Sequence, residues 1–220
     1  ADDMSLPARF ERQLRYLEVH PRVAAIGCAG EAIDEQGRVI GRLPSRHGAK
    51  RVRRGLLQFR STLYHSSVMM RREAFEAVGG YREAFVASQD LDLWLRILQR
   101  YELDNLPEVL FRWRLSPSGV YATRRESQLK YGGIALAFAR ERRTRGGDSY
   151  DLLCACGGDL EAFAAAYRDR GFLQAVWGEL MFRGFRDASR ARRHLGQALR
   201  NGRYHPKTLA LFGWSLLGLG

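Results

Sequence analysis

The sequence predicts a mixed α/β fold over residues 1–120, followed by an all-helical region over residues 121–220. Three observations carry that expectation. Strand-like apolar runs alternate with helical periodicity as far as Leu115, and from Tyr121 onward apolar residues recur at helical spacing almost without a break. The third is composition: 45% of the 220 residues are hydrophobic, enough for a sizeable core and far from the polar signature of a disordered chain.

Taken in order, Leu6 to Val19 reads as a helix, with Phe10, Leu14 and Leu17 at helical spacing, Pro7 near its start and His20-Pro21 ending it. Val23 to Ile33 is strand-like; after a turn at Asp34 to Gly37, Arg38 to Gly41 forms its hairpin partner. Leu43 to Lys50 reads as a loop, Arg51 to Phe59 as a short helix and Ser66 to Met70 as a strand. A helix over Arg72 to Val78 is stopped by Gly79-Gly80, and another runs from Asp90 to Arg100. Two strands follow, Tyr101 to Leu106 and Glu108 to Leu115, split by Pro107. Beyond Tyr121, helices are expected over Arg124 to Arg143 and Asp159 to Arg170, with breaks at 145–149 and Gly157-Gly158. Three short helices complete the chain, interrupted at Gly184, Asn201-Gly202 and His205-Pro206.

The net charge of +12 is carried almost wholly by arginine, since Lys50, Lys130 and Lys207 are the only lysines among 36 basic residues. Such a balance suits anionic partners. No helix-turn-helix, zinc or RNA-binding signature accompanies it, so no nucleic-acid partner is expected. The clusters Arg51-Val52-Arg53-Arg54, Arg140-Glu141-Arg142-Arg143 and Arg190-Ala191-Arg192-Arg193 suit peripheral contact with anionic lipid, and they equally suit a solvated arginine-rich surface. The longest apolar tract, Thr208 to Gly220, falls short of the roughly 20 residues a bilayer span requires and is expected to be a packing helix. There is no charged-then-apolar leader, and Cys28, Cys154 and Cys156 lack zinc spacing. A reducing, cytoplasmic location follows, with peripheral contact at the inner face of the membrane as a further expectation.

Chemistry concentrates in residues 88–96, Ser-Gln-Asp-Leu-Asp-Leu-Trp-Leu-Arg. On a helix, Asp90, Leu93 and Trp94 lie at i, i+3 and i+4, so an acid and an indole share a face and could wall a sugar-binding cleft. An ordinary amphipathic helix, with Leu91, Leu95 and Leu98 in a core and Asp90 at its favoured N-terminal place, produces the same spacing. An Asp92–Arg96 pair at i, i+4 on the helix surface is also in keeping with it. His65 reads as a strand-flanking residue rather than a ligand.

The ordered set Ala1-Asp2-Asp3-Met4-Ser5-Leu6-Pro7, His65 to Arg72, Val78-Gly79-Gly80-Tyr81 and Gln89 to Arg96 resembles family 2 glycosyltransferases of the GT-A fold, from Ala1 to about Arg114. The resemblance implies an incomplete GT-A-type mixed sheet, with residues 1–120 as the acceptor side of the transferase domain and the nucleotide-binding half missing. Ala1 matches the middle of the family's Asp-x-Asp motif, so the family's first acid would precede the chain, and this stretch alone is expected to be inactive. By the same resemblance Asp90 is the catalytic base, and Asp2 a ligand of a divalent metal, Mg²⁺ or Mn²⁺. Asp3 is a further metal-site acid, a group behind the ligand or a helix cap. Trp94, Asp92, Gly80 and Tyr81 are the expected substrate contacts.

The implied partners are a nucleotide-sugar donor and a glycan or lipid-linked acceptor, as in cell-envelope polysaccharide synthesis, with inversion at the anomeric carbon. Departures from the pattern are informative. Ser116 stands where many members carry His, and Gln89 replaces an acid before the base. Val109 stands where processive synthases have Gln ahead of Arg112-Trp113, which favours transfer of a single sugar. A different class, a non-catalytic basic helical module binding a membrane or an anionic partner, is the alternative.

Overall fold

The computed structural model describes residues 2–60, 63–116, 124–185 and 187–217. The chain divides into two compact units: residues 1–82 with 90–123, and residues 83–89 with 124–220. The first is mixed α/β and the second helical. Tyr121, where the helical character was expected to begin, lies outside the described residues.

In the first unit, strand β1 (Met4–Ser5) is followed by helix α1 (Arg9–Val19), strands β2 (Val23–Ile33) and β3 (Val39–Arg42), and helix α2 (Ala49–Leu57). A short 3₁₀ turn (His65–Ser67) leads into β4 (Met69–Met70), helices α3 (Arg72–Ala77) and α4 (Gln89–Ile97), and the long strand β5 (Glu102–Arg114). The sheet runs β1-β5-β2-β3, with β4 also paired to β2. Among the described residues, β2 and β5 form the one parallel pair. A parallel pair covered on both faces requires a nearly continuous apolar strand, and β2 obliges: Val23 to Cys28 and Ile33 are all buried. Leu17, Val23, Ile26, Cys28, Leu106, Leu110 and Phe111 form one core cluster. Burial also pushes the Cys28 thiol up to about 11, so it behaves as a packing group.

One expectation is corrected by the strand register. Pro107 does not split the strand. The register jumps from Cys28↔Leu106 to Ala29↔Val109, so Pro107 and Glu108 form an exposed bulge in one continuous β5. Of the residues at helical spacing in α1, Phe10 and Leu14 are 58% and 54% exposed. The buried face is Gln13 and Leu17, because the Gln13 amide donates to the carbonyls of Ile26 (2.8 Å) and Ser67 (2.7 Å) and ties helix to sheet. A polar residue can win the inward position when it satisfies backbone groups there.

Asp104 on β5 anchors the segment before α2. Its carboxylate accepts the Gly48 N–H (2.6 Å) and the Tyr16 hydroxyl (3.0 Å), while the Asn105 amide donates to the Arg46 carbonyl (2.8 Å).

The second unit comprises α5 (Arg125–Arg145), α6 (Tyr150–Ala155), α7 (Leu160–Ala166), α8 (Arg170–Phe185), α9 (Ala188–Arg200) and α10 (Pro206–Leu216). Gly146, in the left-handed conformation, terminates α5, and Asp159 and Asp187 cap α7 and α9. The buried Trp177 donates its indole N–H to the Lys130 carbonyl at 2.9 Å, joining α8 to α5. Glu141 accepts both the backbone N–H and the hydroxyl of Ser149, at 2.9 and 3.0 Å, which closes the α5–α6 connection.

Two outcomes follow from this packing. A Cβ at Gly30 would lie 2.2 Å from the Phe111 ring, so Gly30→Ala is expected to lose about 1–3 kcal/mol in urea unfolding. Burial, and then the bond and charge of Asp104, raise the Tyr16 hydroxyl from 10.0 to about 12. The folded state therefore holds this proton more tightly than the unfolded chain. Its stabilising contribution is complete below pH 10 and is lost as the pH rises toward 12. Tyr16→Phe is expected to flatten the fall in unfolding free energy over that interval relative to the parent protein.

Candidate active site

The α3–α4 connection is built around one guanidinium. Arg96, on the last turn of α4 and only 5% exposed, donates from Nε to Asp92 Oδ2 at 2.9 Å. Its two terminal nitrogens donate to the carbonyls of Val78 and Gly80, each at 2.6 Å. These carbonyls belong to the turn that ends α3, where Gly79 and Gly80 adopt φ of 76° and 65°. Asp92 is fully buried, and its other oxygen lies 3.6 Å from Arg82. A buried carboxylate is tolerable only when paired in this way. The ion pair thus belongs to the interior, not to the helix surface on which i, i+4 spacing would place it.

That clamp sets what surrounds Asp90. Asp90 lies in the first turn of α4, partly exposed, with Oδ1 accepting the Leu91 N–H at 2.8 Å. Tyr81 follows the clamped turn directly and is 41% exposed; its hydroxyl is 2.7 Å from His65 Nε2. Burial, and then the negative charge of Asp90, push the Tyr81 hydroxyl above its usual value. The His65 ring meets Tyr81 and Trp94 edge-on, with centroids 5.8 and 6.3 Å apart. A carboxylate, a phenol and an imidazole are therefore gathered on one side of α4. Such a group can accept, donate and relay protons.

The acids at the front are held at the far end of β5. Asp3 Oδ1 accepts the Arg114 N–H at 3.0 Å, and the Arg114 guanidinium donates to the carbonyls of Asp2 (3.2 Å), Asp34 (2.7 Å) and Glu35 (2.9 Å). The Asp2 carboxylate is exposed. Contacts connect this end to the Asp90 group: Trp113, beside Arg114, meets the Tyr64 ring at 6.1 Å, and Tyr64 precedes His65. Among the described residues no three His, Cys, Asp or Glu side chains converge as a metal cage. One or two carboxylates nevertheless fit Mg²⁺, which keeps several waters and takes other oxygens from substrate phosphates.

Several expected contacts have other employment. Trp94 is 1% exposed, so its faces pack inside the unit and are not offered to a sugar ring. Asp92 is taken up by Arg96 and Arg82, and the Gly80 carbonyl by Arg96. Asp3 does not cap α1, whose N-cap is Ala8. Asp90 and Tyr81 remain accessible, as does Asp2. His65 is the residue that sequence reasoning set aside as strand-flanking: it opens one of the segments of the resemblance, but its pairing with Tyr81, sixteen residues on, emerges only when the turn folds.

Comparison with known proteins places this geometry in context. The amylovoran biosynthesis glycosyltransferase AmsE of Erwinia amylovora is 34% identical over 118 residues, covering 51% of this chain and 42% of that protein. The O-antigen biosynthesis glycosyltransferase WbnJ of Escherichia coli is 32% identical over 120 residues, 52% of this chain and 45% of the relative. The putative glycosyltransferase EpsE of Bacillus subtilis is 30% identical over 120 residues, 51% and 40% respectively. This chain is similar to glycosyltransferases. The matched part is less than half the length of each of these three relatives. No protein-family model matches.

Because Arg96 satisfies a buried carboxylate and two backbone carbonyls at once, Arg96→Met is expected to cost about 3–5 kcal/mol in denaturant unfolding. Arg72→Met, at an exposed pair with Glu76, should change stability by less than about 1 kcal/mol and serves as the comparison.

Proposed function

We propose that the protein carrying this sequence transfers one sugar from a nucleotide-sugar to a hydroxyl of a glycan or lipid-linked acceptor, and that Asp90 is the general base. The observation that carries this reading is an accessible carboxylate at the start of α4, held beside Tyr81 and His65 by a buried clamp. Similarity to transferases of amylovoran and O-antigen biosynthesis supports a role in cell-envelope polysaccharide synthesis.

In the proposed reaction an acceptor oxygen attacks the anomeric carbon and the new C–O bond forms as the bond to the diphosphate breaks. The acceptor proton passes to Asp90, and the nucleoside diphosphate leaves with the bonding electrons. A neutral hydroxyl is a weak nucleophile, and a carboxylate within hydrogen-bond reach removes the positive charge that would otherwise build on it. Attack from the side opposite the leaving group inverts the anomeric centre. Tyr81, a partly exposed residue whose hydroxyl pairs with His65, orients the acceptor, with His65 fixing the direction of the phenolic hydroxyl. Asp2, with Asp3 beside it, would hold a divalent metal, which when bound supplies charge neutralisation to the departing diphosphate. Single transfer is favoured over polymerisation because Val109 occupies the position of the processive enzymes' glutamine.

Asp90→Asn keeps the shape and removes the base. In the full-length protein, transfer of sugar from a nucleotide-sugar panel to envelope lipid and glycan acceptors is expected to fall at least about 100-fold, with the unfolding midpoint unchanged. Undiminished transfer by this variant contradicts the assignment.

A further inference from the structure

We propose that α10 is an interfacial membrane-binding helix whose partner is an anionic lipid surface. This inference stands on the helical unit alone and does not depend on the transfer reaction.

The faces of α10 are reversed relative to an ordinary surface helix. Its buried side is Thr208, Leu211 and Ser215. Its outward side, Pro206, Leu209, Ala210, Gly213, Trp214 and Leu217, follows i, i+3, i+4, i+7, i+8 and i+11, the repeat that normally marks a core-facing stripe. Yet Leu209 is 47% exposed and Trp214 51%, and Leu216 at the stripe's edge is 55% exposed. The sequence-based expectation of a packing helix is thus met on one side only.

Charge identifies what covers the other side. Residues 188–217 contain no Asp or Glu, but they carry Arg190, Arg192, Arg193, Arg200, Arg203 and Lys207. Arg190 pairs with Glu126 and Asp187, and Lys207 with Glu179. Arg192 donates to the Ser215 carbonyl at 2.5 Å, which puts a guanidinium at the carboxyl-terminal end of α10. A second copy docked by two-fold symmetry would set these cations against themselves. A nucleic acid would satisfy the arginines and leave the apolar stripe wet. An anionic bilayer meets both demands: acyl chains for the stripe and headgroup phosphates for the arginines. With 11 residues the helix is too short to span and lies in the surface plane. Among the described residues no helix is long and apolar enough to cross a membrane.

The test is co-sedimentation of the full chain with vesicles of equal phosphatidylglycerol and phosphatidylcholine, against phosphatidylcholine alone. Partition onto the anionic vesicles should exceed that onto the neutral ones by about tenfold or more, with a blue shift in tryptophan emission that Trp214→Phe removes while binding persists. The pair Leu209→Ser and Trp214→Ser, and separately Arg192→Gln with Arg193→Gln, should each lower partition about tenfold without changing the far-ultraviolet circular dichroism. Should the first pair perturb folding, Leu217→Ser alone, outside the packed side, should still give a measurable loss. Equal binding to both vesicle types overturns the proposal, as does binding indifferent to the apolar substitutions. So does a dimer in light scattering that the Leu209 and Trp214 substitutions dissolve.

Discussion

A single buried guanidinium organises the candidate site. Arg96 carries a full charge at 5% exposure, a situation that is unfavourable unless every donor finds an acceptor. Each of its three nitrogens donates to a different chain position: Asp92 one turn back on its own helix, Val78 at the end of α3, and Gly80 in the turn between. Because the two carbonyls are in a turn that only positive φ can make, the glycines and the arginine depend on each other. The next residue in the chain, Tyr81, inherits its position from that clamp, and so does its hydrogen bond to His65. Asp90 gains its setting in the same way, since the helix whose first turn it occupies is pinned at Asp92 and Arg96.

Much of the fold was legible because its signals were local. The β2–β3 hairpin, the helix stopped at Gly79-Gly80 and the succession of helices ending at Leu216 are all marked by apolar periodicity or by residues that break it. What the pattern could not show depended on partners far along the chain. Gln13 points inward because the Ile26 and Ser67 carbonyls await it, so the apolar stripe of Phe10 and Leu14 is left outside. Pro107 is absorbed because β5 can bulge where β2 runs straight past it.

The candidate site shows the same division. The place of Asp90 in the first turn of a helix was legible because a helix start and a Gly-Gly turn frame it in sequence. Trp94 misled because an indole next to an acid is equally suited to a cleft and to a core, and only packing decides; here it is core. The Asp92–Arg96 spacing was visible, but its burial was not, since i, i+4 pairs look alike on either side of a helix. In α10 the periodicity was legible while its direction was not: the stripe that resembles a core face is turned away from the protein.

The most direct measurement of the central claim is an experimental structure of the full-length protein with a nucleotide-sugar and an acceptor analogue bound. The account predicts the acceptor hydroxyl within about 3 Å of an Asp90 oxygen, on the side of the anomeric carbon opposite the diphosphate, with Tyr81 in contact with the acceptor. Asp2 is predicted beside the diphosphate, and Trp94 still enclosed. A sugar bound at another face of the protein, or an acceptor whose oxygen is met by a different base while Asp90 faces solvent, would contradict it.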